Sequence, residues 1–157
     1  MNNNPESAQA QRDFRKFIAV VTFVFSGALT GTVLLAFFIA IVDPQWTLGI
    51  ETASWLLMVF LFYSLFATTL ALPGFWLWLM AAKRLLGAMW ITYPIAGGLS
   101  GALATLILFG AIAISSGDIL PVWMFGGLNV AAGVVAGLAY WFSAGRPGRA
   151  KLQPTSS

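Results

Sequence analysis

The chain has 157 residues, of which 59% are hydrophobic and only 8% charged, whereas a soluble domain carries about a quarter charged residues to wet its surface. Lipid is therefore the expected solvent. Cysteine and histidine are both absent, which removes disulfides, thiolate nucleophiles, the usual zinc and bis-histidine haem sites and the commonest general base. The formal net charge of +3 does not point to nucleic acid, because no basic helix offers base-reaching side chains and the cations sit beside apolar runs.

The polar segment 1–16 is expected to form a cytoplasmic tail, with Arg12, Arg15 and Lys16 just ahead of the first apolar run. That run is too long for a cleaved signal peptide and reads as retained. Span one is placed at 17–42, where 26 residues at 1.5 Å each cover about 39 Å, more than the ~30 Å of hydrocarbon. Asp43-Pro44-Gln45-Trp46 stops it, since proline cannot continue the hydrogen-bond ladder.

Span two is placed at 53–82, about 45 Å if straight, and Leu72-Pro73-Gly74 is the expected kink. Phe75-Trp76-Leu77-Trp78 beyond it is expected to lie obliquely near headgroups, and Lys83 with Arg84 anchors that end. Span three is placed at 88–114, between Trp90 and Ser115-Ser116-Gly117-Asp118, and span four at 122–143, with Pro121 in a first-turn position. Residues 145–157 form a second cytoplasmic tail, expected to be disordered, holding Arg146, Arg149 and Lys151.

Every Lys and Arg thus lies at one end of the spans, while the opposite turns carry only Asp43, Glu51 and Asp118. Basic residues near span ends stay on the cytoplasmic side during insertion. The expected fold class is an all-α integral membrane bundle of four transmembrane helices, up-down-up-down, with both termini cytoplasmic, and residues 17–144 form its single domain. Trp46, Trp55, Trp76, Trp78, Trp90, Tyr93, Trp123, Tyr140 and Trp141 are assigned to the two interfacial belts.

Small residues let helices approach where lipid supplies no hydrophobic drive for association. Gly27 with Gly31, Gly97 with Gly101, and Gly133 with Gly137 are spaced for this, and Asn129 extends the last set by one turn. An amide at that depth needs a partner, and an interhelical hydrogen bond is the favoured one. Thr22, Ser26 and Thr30, with Ser64 and Thr68 on span two and Asn129 on span four, are the candidate lining of a polar path. Spans one and three echo each other: Gly27-Ala28-Leu29-Thr30-Gly31 matches Gly97-Gly98-Leu99-Ser100-Gly101, a match that richness in Gly and Leu also produces.

Pro73, the Lys83-Arg84 turn, Trp90, Tyr93, Gly97-Gly98, Gly101, Gly137, Tyr140-Trp141-Phe142 and Gly145-Arg146-Pro147 together resemble short four-span proteobacterial membrane proteins of unassigned function. The resemblance implies a bacterial cytoplasmic (inner) membrane and carries no catalytic or ligand residues. Small multidrug exporters need a glutamate in the first span, and here no span contains a carboxylate. The reading is a non-catalytic packing, interaction or accessory subunit without cofactor. Its partners are the bilayer with its anionic headgroups, and another copy or a second membrane protein. The alternative is an oligomeric permeation protein for small solutes or ions. A lipid-modifying enzyme stands third, because Asp43, Glu51 and Asp118 show no ligand spacing.

Overall fold

A computed structural model describes residues 5–43, 49–87, 89–117 and 119–145. They form α1 (Pro5–Val42), α2 (Ile50–Phe66), a π-helical turn (Ala67–Ala71), α3 (Leu72–Leu86), α4 (Thr92–Ser116) and α5 (Leu120–Ser143), with no strand among them. α2, the π turn and α3 run as one continuous span, so the described residues contain four helices long and apolar enough to cross a membrane. The architecture is that of a multi-pass membrane protein.

α1 reaches well back from the expected 17–42, to Pro5. The lead-in carries Ala, Gln, Arg and Lys, which favour helix, and Glu6 lies in the first turn where a carboxylate suits the positive helix end. Its 38 residues rise about 57 Å, so the polar first turns extend beyond any hydrocarbon layer.

The second span is irregular just before Pro73. A kink was expected at Pro73 itself, whereas the irregularity is a π turn that ends just before it, closed by the Leu72 N–H donating to the Ala67 carbonyl five residues back. Proline has no N–H to give the carbonyl four residues earlier and its ring crowds that turn. A wider turn ahead of Pro73 accommodates both effects, helped by Thr68 and Thr69, whose hydroxyls donate to the carbonyls of Ser64 and Leu65 at 2.8 Å. Gly117 ends α4 in the left-handed region (φ 73°), its N–H donating to the Ala113 carbonyl at 2.9 Å.

Sequential spans pack antiparallel, as the facing residues show. Gly31 of α1 lies against Tyr63 of α2, Gly74 of α3 against Ser100 of α4, and Gly27 of α1 against Ala136 of α5. Tyr93, Gly97 and Gly101 of α4 face Gly137, Gly133 and Asn129 of α5 in descending order. Each span therefore touches the one before and the one after it, and α1 closes the ring on α5. The third span is the most enclosed, with 44% of its most apolar stretch buried against 17–22% for the others.

One end of this bundle carries the start of α1, the junction of α3 and α4, and the end of α5, and is called the terminal end. The opposite end carries the α1–α2 and α4–α5 connections and is called the loop end. The core lies toward the terminal end, where Phe23, Phe75, Leu79, Tyr93 and Tyr140 are buried with Ala19, Ala96, Ala136 and Trp141. The rings of Phe23 and Phe75 lie 4.5 Å apart, and Phe75 meets Tyr140 edge-on at 5.1 Å.

The aromatics assigned to headgroups and belts differ in how far they pack into the bundle. Phe75, expected near headgroups, is fully buried, because α3 continues the span and turns this residue toward α1 and α5. Tyr93, Tyr140 and Trp141, assigned to an interfacial belt, pack against neighbouring helices and are buried on the bundle's flank. Trp55, Trp76, Trp78, Trp90 and Trp123 do face outward, although Trp76 also packs edge-on against Tyr140 at 5.9 Å. Trp46 lies outside the described residues.

Candidate functional site

The α4–α5 pair is joined backbone to backbone. A Cβ on Gly97 would collide with the Gly133 carbonyl, one on Gly133 with the Gly97 carbonyl, one on Gly101 with the Asn129 carbonyl, and one on Gly137 with the Tyr93 carbonyl. Each glycine thus turns its second Cα hydrogen toward a carbonyl of the facing helix, a geometry that contributes about 0.5–1 kcal/mol per contact. Ser100, buried against Gly74 of α3, folds its hydroxyl onto the Gly97 carbonyl of its own helix at 2.7 Å.

At the loop-side edge of the seam the character changes. Asn129 is buried, and its Nδ2 donates to Thr105 Oγ1 at 2.9 Å across the α4–α5 interface. Thr105 in turn donates to the Gly101 carbonyl at 2.9 Å, so its one O–H is committed. The other end of the amide, Asn129 Oδ1, is buried with no hydrogen-bond partner. Leaving a buried acceptor unpaired costs about 1–3 kcal/mol, and among the described residues this is the buried side-chain atom left unsatisfied.

Two hollows meet at Asn129. One, of about 370 Å³, opens toward the loop end between α2 and the α4–α5 pair, with Trp55, Phe62, Tyr63, Phe66, Phe109 and Phe125 supplying most of its wall. Phe109 and Phe125 stack across α4 and α5 at 4.8 Å with planes 4° apart. The second, of about 30 Å³, lies deeper, between Phe23, Gly27, Tyr63, Asn129 and Ala136. The larger hollow exists because α2 rests mainly on α1, and of its residues only Tyr63 and Phe66 are buried.

The remaining candidate residues are distributed as follows. The Gly27 and Gly31 pair makes side-chain rather than backbone contacts, since a Cβ on Gly27 would rest 3.4 Å from Ala136 Cβ and one on Gly31 would press on the Tyr63 ring at 2.8 Å. Thr22, Ser26 and Thr30 are half-buried on α1, and Ser26 donates to the Phe23 carbonyl at 3.2 Å. Ser64 donates to the Phe60 carbonyl at 2.8 Å, and Thr68 faces outward. The hydroxyls of Ser26, Ser64 and Thr68 therefore serve their own helices, and none of these five residues lines the larger hollow.

Arg12, Arg15, Lys16, Lys83 and Arg84 are exposed and collect at the terminal end. A Cβ on Gly145 would lie 3.6 Å from an Arg15 guanidinium nitrogen, and Lys83 Nζ sits 5.3 Å from the centre of the Tyr93 ring, an attraction of about 0.5–1 kcal/mol at an exposed site. Arg146, Arg149 and Lys151 lie outside the described residues. Asp43 and Glu51 belong to the loop end, and no three potential metal ligands gather among the described residues.

Sequence reasoning missed Thr105, Tyr63 and the aromatic wall. Thr105 stands one helical turn after Gly101, but its partnership with Asn129 depends on the register between α4 and α5, which no local pattern encodes. No protein-family model, curated protein or solved structure matches this chain.

Proposed function

We propose that this chain is a non-catalytic interaction component of a bacterial cytoplasmic membrane, with both termini on the cytoplasmic side. The carrying observation is how the interior is filled: its centre is backbone contact and aromatic rings, and the buried polar side chains described are Thr32, Thr92, Ser100, Thr105 and Asn129, none of which exchanges a proton near neutral pH. The collection of five described cations at the terminal end supports the orientation, because such residues are held inside during insertion.

The permeation reading draws on Asn129 and the larger hollow alone, and the Phe23, Phe75 and Tyr140 cluster fills the bundle beyond them. Crosslinking and affinity purification in mild detergent test the interaction role. A stable complex, with itself or with another membrane protein, is expected; a monodisperse, partnerless monomer overturns it. Reporter fusions at both ends are expected to give cytosolic signals, and an external signal from either reverses the orientation.

A further inference from the structure

The larger hollow has the dimensions and chemistry of a ligand site, and that property stands apart from the interaction role. Its volume of about 370 Å³ falls within the roughly 300–1,000 Å³ of small-molecule pockets. Six of its eleven lining residues are aromatic and none is charged, so an ionised ligand would be buried there without a counter-charge, whereas a flat uncharged ring finds ring faces and edges to pack against. At its inner edge stands Asn129, 5% exposed, its Oδ1 unpaired and sealed from solvent, so a ligand donor meets it by displacing the side chains that cover it. The amide cannot turn that oxygen to Thr105 without losing its own donor contact, because the Thr105 hydroxyl already donates to Gly101. What Oδ1 lacks is a donor.

We propose that this hollow binds an uncharged, lipophilic aromatic compound bearing a ring hydroxyl, that is, a phenol-class molecule whose O–H donates to Asn129 Oδ1 while its ring lies among Trp55, Phe62 and Phe109. The methyl ether of such a compound has nearly the same shape and no donor, so it isolates the hydrogen bond. Two sources share this chemistry: a hydroxylated aromatic lipid resident in the bilayer, and a free phenol arriving from the aqueous side.

The test uses the full chain in lipid nanodiscs, with para-octylphenol and its methyl ether as probes and ligand-detected NMR as readout, empty discs serving as the blank. The phenol is expected to bind about tenfold more tightly than the ether, as one buried charge-free hydrogen bond allows. Asn129→Leu is expected to abolish that preference and leave the ether unchanged. Val59→Trp, which fills the hollow from α2 and leaves Asn129 and Thr105 untouched, is expected to weaken both probes about tenfold or more.

Equal binding of the two probes by the unmodified protein overturns the proposal, since Oδ1 is then satisfied by water and the hollow selects by size alone. A phenol preference that survives in folded Asn129→Leu, or phenol binding indifferent to Val59→Trp, overturns it too. If Asn129→Leu fails to fold, the unmodified protein and Val59→Trp decide the matter. Mass spectrometry of lipids extracted from protein purified without probe separates the sources. A co-purifying hydroxylated aromatic lipid, alongside the phenol preference, identifies the bilayer source; the same preference with no such lipid identifies the free phenol.

Discussion

The two ends of the bundle solve the same packing problem differently. Toward the terminal end, α4 and α5 meet through backbone, and the space around their seam is filled by Phe23, Phe75, Tyr93 and Tyr140. Toward the loop end, the helices carry Phe and Trp where the seam has glycine, so they stand apart and α2 leans on α1 rather than closing the ring. In lipid, apolar surface gains little by being buried, so shape complementarity rather than hydrophobicity decides where the bundle is rigid. The seam has it; the loop end trades it for a hollow. Asn129 marks the border, its Nδ2 bonded into the seam and its buried Oδ1 left without a partner.

The largest expected effect belongs to the seam. Gly97→Val places two methyl groups against the Gly133 carbonyl, backbone that cannot rotate away, and is expected to cost about 3 kcal/mol or more. Loss of the monodisperse species in detergent and a lower unfolding midpoint would register it, and an unchanged midpoint would show that the seam does not hold α4 to α5. Next comes Phe75→Ala, which empties the centre of the aromatic cluster. Such truncations cost about 3–5 kcal/mol in soluble cores, and about 2–3 kcal/mol is expected where lipid removes the transfer contribution.

Gly31→Ala sharpens the distinction between the two glycine pairs of similar spacing. Its Cβ meets a movable ring instead of backbone, so the expected cost is about 1 kcal/mol, recovered in a Tyr63→Leu background, and thermal unfolding of the four members of the cycle measures the coupling. A cost matching that of Gly97→Val, with no recovery, would erase the distinction. The smallest effect is a gain: Gly110→Ala, toward the loop end of α4 where a Cβ meets nothing within 4 Å, is expected to stabilise the helix by about 0.5–1 kcal/mol. Destabilisation there would mean that a neighbouring helix packs against α4 at Gly110, where the structure leaves open space.

The helical architecture was legible from the sequence because the bilayer imposes it: long uncharged runs must satisfy their own backbone hydrogen bonds, and helices are the way a single run does so. Position 73 was legible as an irregularity for the same local reason, a missing N–H, while its form as an upstream π turn depended on which carbonyls Thr68 and Thr69 engage. Asn129 announced itself as the amide that needs a partner. Thr105, its actual partner, sits 24 residues away, and the aromatic wall of the hollow is assembled from several helices.

Sequence alone thus determined what is local: how many helices can cross a membrane, where backbone chemistry interrupts them, and where the cations stand along the chain. The tertiary structure decided which glycines touch backbone. Gly27-Gly31 and Gly97-Gly101 have the same spacing, yet only the second pair lies against carbonyls of a facing helix. Spacing sets the face on which a residue lies, but the register and tilt between two helices set what that face meets, and those follow from the fit of all the helices at once.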